Sequence, residues 1–169
     1  MKIEYDMQDT IYSDRAKADV GRKRYDQMTI EAWREERVMG YIRTLVTGGK
    51  WLTVGDGNYG GEANWILRNG GNVHASDYST PLLEIAAKNG EIKEFSRQNA
   101  ENLTFDDDSF DYVLIKEALH HFPRPWLALY ESLRVCRKGV ILFEPNGQEP
   151  GFLSNVLRVL RRRSYDDYY

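Results

Sequence analysis

Cysteine is almost missing from this chain: Cys136 is the one thiol in 169 residues. An intrachain disulfide is thereby excluded, and so is a zinc site built on several thiolates. A reducing, cytoplasmic setting is the expectation. Long apolar runs are missing too. None approaches the ~18 residues that a membrane-spanning helix needs. Met1-Lys2-Ile3-Glu4-Tyr5-Asp6 lacks the apolar centre of a secretion signal. An excess of one charge is also lacking. Twenty-three Lys and Arg stand against 26 Asp and Glu, for a net charge of −3. That balance makes no electrostatic case for nucleic acid as the main partner. What is present, 41% hydrophobic and 29% charged residues, describes a globular chain of one-domain length.

Residues 1–28 are polar with scattered tyrosines, and give little helical signal. From Thr29 to about Val46 the apolar spacing turns helical. Ile30, Trp33, Val38, Tyr41, Ile42 and Leu45 are expected on one face, with Thr29 as N-cap and Gly48-Gly49 as the stop. Strands and helices then alternate. Strands are expected at 51–54, 73–76, 92–95, 110–115 and 140–143. Helices are expected at 61–68, at 81–88 after a Ser79 or Thr80 cap, and at 125–135 with Trp126, Leu127, Leu129, Tyr130 and Leu133 as apolar positions. This alternation implies a parallel sheet covered on both faces. The apolar runs of the fourth and fifth strands suit central positions. Gly151 to Arg163 reads as an amphipathic basic segment. It either packs on the sheet or touches a membrane surface or partner.

The most specific stretch is Val54-Gly55-Asp56-Gly57-Asn58-Tyr59-Gly60-Gly61, a strand end, a glycine turn and a helix start. Twenty residues after Gly57, a second strand ends in Asp77. Such a turn lets main chain lie close to a ligand. The helix start offers free N–H groups, and the strand-tip acid can accept from ribose hydroxyls. A nucleoside-containing cofactor follows. The spacing Gly55-x-Gly57-x-x-Gly60 also matches the dinucleotide fingerprint. A nicotinamide enzyme is therefore an alternative, although five strands leave little chain for a second nucleotide-binding half.

Several motifs in order carry a family resemblance. They are Val54 to Gly60, Ser76-Asp77-Tyr78-Ser79, Asn99-Ala100-Glu101-Asn102-Leu103-Thr104-Phe105, Ser109 to Val113, Ala118-Leu119-His120-His121-Phe122 and Arg134 to Gly139. Together they resemble a class I S-adenosylmethionine-dependent methyltransferase, of the small-molecule type that includes ubiquinone and menaquinone biosynthesis methyltransferases. The resemblance spans roughly residues 35–147. It implies an α/β, Rossmann-like, doubly wound and mostly parallel sheet, with the family's last two strands lacking after Arg163. It also implies an N-terminal helical or lid segment (1–48), a cofactor-binding unit (49–148) and the basic C-terminal segment (149–169), all in one structural domain.

By position, the resemblance assigns Gly55, Gly57 and Gly60, with Asp56 and Tyr59 in the same loop, to the methionine side of S-adenosylmethionine. Asp77 is assigned to the ribose, Tyr78 to the adenine face and Asn99 and Ala100 to the adenine edge. Ile115 and Lys116 border the methionine. Thr53 stands where the family has an acid, with Asp56 as the substitute. Asn99 replaces another acid. His121 and His120 are the candidates for a general base, the alternative being that both are structural. Tyr12 and Tyr25 are candidates for the lid.

The implied reaction is in-line methyl transfer to a small or lipid-linked acceptor, without a metal. A homo-oligomer is admitted, because an unfinished sheet edge favours pairing, the alternative being that the chain is a fragment of a longer one. A cofactor-binding subunit without turnover is the other alternative. Asp106-Asp107-Asp108 reads as a solvated turn, and Cys136 as a core residue in a helix.

Overall fold

The computed structural model describes residues 7, 9–11, 13, 14 and 30–144. Thr29, Tyr12, Tyr25 and the stretch 151–163 lie outside them. Five short runs rich in Val, Leu, Ile and aromatic residues become strands β1 (Lys50–Val54), β2 (Asn72–Asp77), β3 (Glu94–Arg97), β4 (Phe110–Lys116) and β5 (Cys136–Phe143). Helices α1 (Ile30–Met39), α2 (Arg43–Val46), α3 (Gly61–Arg68), α4 (Pro81–Lys88) and α5 (Pro125–Val135) alternate with them. Two single 3₁₀ turns, Gly40–Ile42 and Leu119–His121, complete the order. Among the described residues no helix is long and apolar enough to cross a membrane.

The sheet order is β3-β2-β1-β4-β5, and every pairing is parallel. Leu52 lies opposite His74 on one side and Val113 on the other. Side chains alternate across the sheet, as the two-residue strand period requires. Trp51, Val73 and Leu114 point to one core with Met39, Ile42, Val46, Ile66, Leu82 and Leu83. Leu52, Val54, Val113 and Ile115 point to the other, with Ala128 and Val135 of α5. Helices α1 to α4 thus cover one face and α5 the other, so the sheet is doubly wound. Gly71 N–H closes α3 on the Ile66 carbonyl at 2.9 Å, and Glu91 N–H closes α4 on that of Ala86 at 2.9 Å.

Several sequence expectations need correction. The first helix is interrupted by the 3₁₀ turn at Gly40–Ile42, which shortens the period from 3.6 to 3 residues. Met39, Ile42 and Val46 therefore face the core, while Trp33 (58% exposed) and Tyr41 (82%) face solvent and Leu45 is largely exposed. The Arg37 guanidinium covers the Trp33 ring at 5.0 Å. Strand β3 begins two residues later than its apolar residues suggest, because Asp77 pairs opposite Arg97. Strand β5 starts at Cys136, so the thiol is buried at a strand start and not in a helix. Among the described residues β5 is an outer strand, half-exposed rather than central. On α5 the buried positions are Ala128, Ser132 and Val135, while Trp126, Leu127, Tyr130 and Leu133 are exposed.

Candidate active site

All strand carboxyl ends meet on one rim. Between β1 and β4 the connections leave in opposite directions, the switch point at which sheets of this kind bind ligands. The loop after β1 is pinned to β2: Gly55 and Asp56 N–H groups both donate to the Ser76 carbonyl, at 3.0 and 3.1 Å. Gly55 has φ +79°, and a Cβ there would lie 2.5 Å from that of Ala118. The loop therefore touches the segment after β4. Gly60 (φ +62°) is tight for another reason, since its Cβ would press on Ile92 and Leu83. Tyr59 also has a positive φ of 62°. Its ring is buried in the core, so only its main chain remains at the loop.

Asp56 is buried beneath this loop. Its carboxylate accepts from Thr53 Oγ1 (2.9 Å), Ala63 N–H (2.9 Å) and Glu62 N–H (3.3 Å). It therefore caps α3 and reaches position 53 through the threonine hydroxyl. Burial, then Glu62 beside it, push its carboxyl well above the usual range.

Asp77 sits at the tip of β2, 3% exposed. It accepts from Ser79 N–H at 2.8 Å, and the main-chain N–H groups of Gly57 and Tyr78 lie near enough to favour its charged form. The structure thus brings the glycine turn and the strand-tip acid together. Burial pushes the Asp77 carboxyl up to about 6, against the pull of these N–H groups. Tyr78 lies alongside, with the Arg97 guanidinium 4.7 Å from its ring centre. Arg97 in turn is 3.6 Å from Asp9, so the N-terminal helical residues approach this corner. A carboxylate has about four acceptor positions. With Ser79 N–H on one of them, it keeps acceptor positions for hydroxyl donors, which fits a ribose.

Asn99 folds its side-chain oxygen back onto Glu101 N–H at 2.9 Å, and Ala100 is buried beside it. Glu101 holds Arg124 through its main-chain N–H and its guanidinium Nε, each at 2.7 Å. The Glu101 side chain is 2% exposed. It locks the loop after β3 to the start of α5.

Ile115 is fully buried in β4. The Lys116 side chain reaches toward α1 and α3. Its Nζ meets Glu62 at 2.9 Å and Glu35 at 3.3 Å. These carboxylates hold the lysine firmly protonated. Burial and then Glu62 push Glu35 up to about 7, and Glu35 Oε1 is buried without a hydrogen-bond partner. A cavity of about 460 Å³ lies between α1 and α3, lined by Glu35, Glu36, Trp33, Asn64 and Trp65 among others.

His120 and His121 lie on the 3₁₀ turn after β4, with ring centres 4.0 Å apart. His120 Nδ1 is 2.5 Å from Glu144 Oε2. Burial and the neighbouring His120 pull the His121 imidazole down. Asp106, Asp107 and Asp108 are exposed. Among the described residues no cluster could hold a metal.

Four acids that sequence reasoning missed shape this rim: Glu35, Glu62, Glu101 and Glu144. Glu144 carried a readable signal, since it follows an apolar strand as Asp77 does. The other three depend on partners distant in the chain.

The family model described as "Methyltransferase domain" matches residues 52–143. Curated relatives include the phthiotriol/phenolphthiotriol dimycocerosates methyltransferase of Mycobacterium tuberculosis (H37Ra). It is 34% identical over 99 residues, covering 54% of this chain and 36% of the relative. The demethylmenaquinone methyltransferase of Clavibacter sepedonicus is 35% identical over 108 residues, covering 61% and 41%. The chain therefore spans less than half the length of these two relatives. A solved protein of Pyrococcus horikoshii OT3 shares the fold, with TM-score 0.64 at 24% identity over 84% of this chain and 66% of that one. Six ordered motifs, a five-stranded parallel sheet and this family match agree: the chain belongs to the methyltransferase domain family.

Proposed function

We propose that this chain is an S-adenosylmethionine-dependent methyltransferase that transfers a methyl group in line to a small or lipid-linked acceptor. The meeting of Gly57 N–H with the Asp77 carboxylate at the sheet's switch point supports this reading most directly. When bound, the sulfonium supplies an activated methyl group. The chain's residues have only to hold, orient and exclude water. Gly55, Gly57 and Gly60, with Asp56 and Tyr59, shape the loop for the methionine portion. Asp77 takes the ribose, Tyr78 the adenine face, Asn99 and Ala100 its edge. Ile115 and Lys116 border the methionine through main chain. His120 or His121 takes a proton where the acceptor has one to lose.

The acceptor class follows the two curated relatives. Residues 1–48 act as a lid over the site, a role favoured by the Asp9–Arg97 approach. The basic segment 151–163 touches a membrane surface, the lone thiol suits the cytoplasm, and pairing of two copies is part of this reading. Titration calorimetry with S-adenosylmethionine, S-adenosylhomocysteine and NAD is the test, and preference for NAD sinks the proposal.

One observation favours a second reading, a cofactor-binding subunit without turnover. Thr53 has replaced the expected acid, and the Asp56 carboxylate is spent on capping α3. A labelled methyl donor offered with a panel of acceptors separates the two, since only the enzyme passes label on.

A further inference from the structure

Strands β4 and β5 end side by side, with Lys116 opposite Phe143. The next residue of β4's run, Glu117, takes φ +51°. Its N–H donates to the Phe143 carbonyl at 2.7 Å. This kink turns the chain out of the sheet and into the histidine-bearing turn. Glu144, one residue past β5, then faces that turn with both oxygens. Oε1 accepts from the N–H groups of Ala118 (3.1 Å) and Leu119 (2.9 Å). Oε2 meets His120 Nδ1 at 2.5 Å. One carboxylate thus fixes both the main chain that carries the histidine and the ring itself.

A surface ion pair asks for less than this. Most hold two flexible side chains and contribute little. Here the acid is tied to main chain, and the turn it holds abuts the glycine loop. Ala118 and Phe122 are the residues that a Cβ on Gly55 would strike, at 2.5 and 3.2 Å. The His120 side chain is 45% exposed, open on the rim where an acceptor would approach.

We infer that Glu144 is a positioning residue that sets His120 as the general base, and that the acceptor's attacking atom is a hydroxyl oxygen or an acidic carbon. This rests on the methyltransferase reading above. A carboxylate at Nδ1 keeps the proton there and leaves the Nε2 lone pair for the acceptor. Nε2 takes the proton from the acceptor's O–H or C–H bond. The electron pair so released forms the new bond to the methyl carbon. The carbon–sulfur bond breaks with its pair going to sulfur, which becomes a neutral thioether. The imidazolium, steadied by Glu144, returns its proton to water. An amine acceptor attacks with a lone pair already in place and needs no such base.

The chain has three histidines, so ring nitrogens can be assigned one by one by long-range ¹H–¹⁵N correlation. The wild-type protein is expected to show His120 with its proton on Nδ1. In Glu144→Gln the amide oxygen keeps the Ala118 and Leu119 bonds, while the amide nitrogen faces Nδ1. The tautomer should invert to Nε2–H. A wild-type ring protonated on Nε2 overturns the proposal without any variant, as does an unchanged tautomer in Glu144→Gln.

With reduced demethylmenaquinone as probe acceptor, Glu144→Gln and His120→Asn should each lower kcat about 100-fold or more. S-adenosylhomocysteine binding should stay as in wild type. The double variant should be no slower than the worse single, because the pair acts as a unit. Full turnover in Glu144→Gln, or label passing only to amines in an acceptor panel, defeats the assignment. Absence of S-adenosylhomocysteine binding in the wild type is a different failure: it removes the methyltransferase reading, while the tautomer still decides the pairing.

Discussion

Gly57 turns its main-chain N–H toward the carboxylate of Asp77 and favours its charged form, which ties the turn after β1 electrostatically to the tip of β2. Asp77→Ala is expected to weaken S-adenosylmethionine binding by about 1.5–3 kcal/mol, the scale of hydrogen bonds to a charged group. Calorimetry reads this directly, and unchanged affinity removes the ribose role.

The same carboxyl makes binding and stability respond to pH in opposite directions. Its folded value is raised to about 6, above the roughly 3.9 of an unfolded chain. The charged form is thus the disfavoured one in the fold. Its cost, about 2–3 kcal/mol, is fully present above pH 6 and disappears as pH falls toward 4. Hydroxyl donors prefer the charged form. S-adenosylhomocysteine affinity should therefore fall as pH drops through about 6, and Asp77→Asn should flatten that dependence. A profile in Asp77→Asn identical to wild type assigns the titration elsewhere.

Asp56 caps α3 through Ala63 and Glu62 and is buried against Thr53. Asp56→Ala removes the acceptor for two orphan N–H groups and one hydroxyl. A loss of about 2 kcal/mol is expected in urea unfolding. Asp56→Asn keeps one acceptor and should lose less. Equal losses from the two variants argue for the charge, not the cap.

Lys116 stands between Glu35 and Glu62 with little exposure. Lys116→Met leaves two neighbouring carboxylates without their cation and should cost about 3 kcal/mol at pH 8. Glu35 already sits near 7, and losing the lysine raises it further. A raised carboxyl penalises the fold above its folded value and ceases to do so as it protonates. The deficit should shrink toward pH 5, as followed by denaturation midpoints across pH. A deficit constant with pH contradicts this.

Gly55→Ala meets two obstacles, the positive φ and the 2.5 Å approach to Ala118. Together they should cost about 2–3 kcal/mol. Adding Ala118→Gly relieves only the collision and should recover part of the loss. The strain of the left-handed backbone, about 1 kcal/mol or more, should remain. No recovery at all in the double variant shows that the contact is not the cause.

Punctuation made the fold legible. Gly60-Gly61 and Pro125 set the starts of α3 and α5, and both helices run as their residues suggest. Asp77 was readable because its offset from the turn is a local count along one β–α–β unit. The misreadings share a cause as well. Met39, Ile42 and Val46 reach the core only because a 3₁₀ turn changes the phase of the helix, and no single residue announces that. Arg124 finds Glu101, and Lys116 finds Glu62, only after the sheet order has been set. Such pairings are invisible to periodicity.

The strand order also has a consequence for biosynthesis. A ribosome releases β1, β2 and β3 first, and these three already form one contiguous half of the sheet. On the proposed reading, the nucleoside-binding residues Gly57, Asp77 and Asn99 belong wholly to that half. His120 and Glu144 emerge later, just after β4 and β5, the two strands that extend the sheet from the opposite flank of β1. A nascent chain can thus bring Gly57, Asp77 and Asn99 together before the corner holding His120 and Glu144 exists, so a chaperone or a ligand meeting it midway would find only half of the rim.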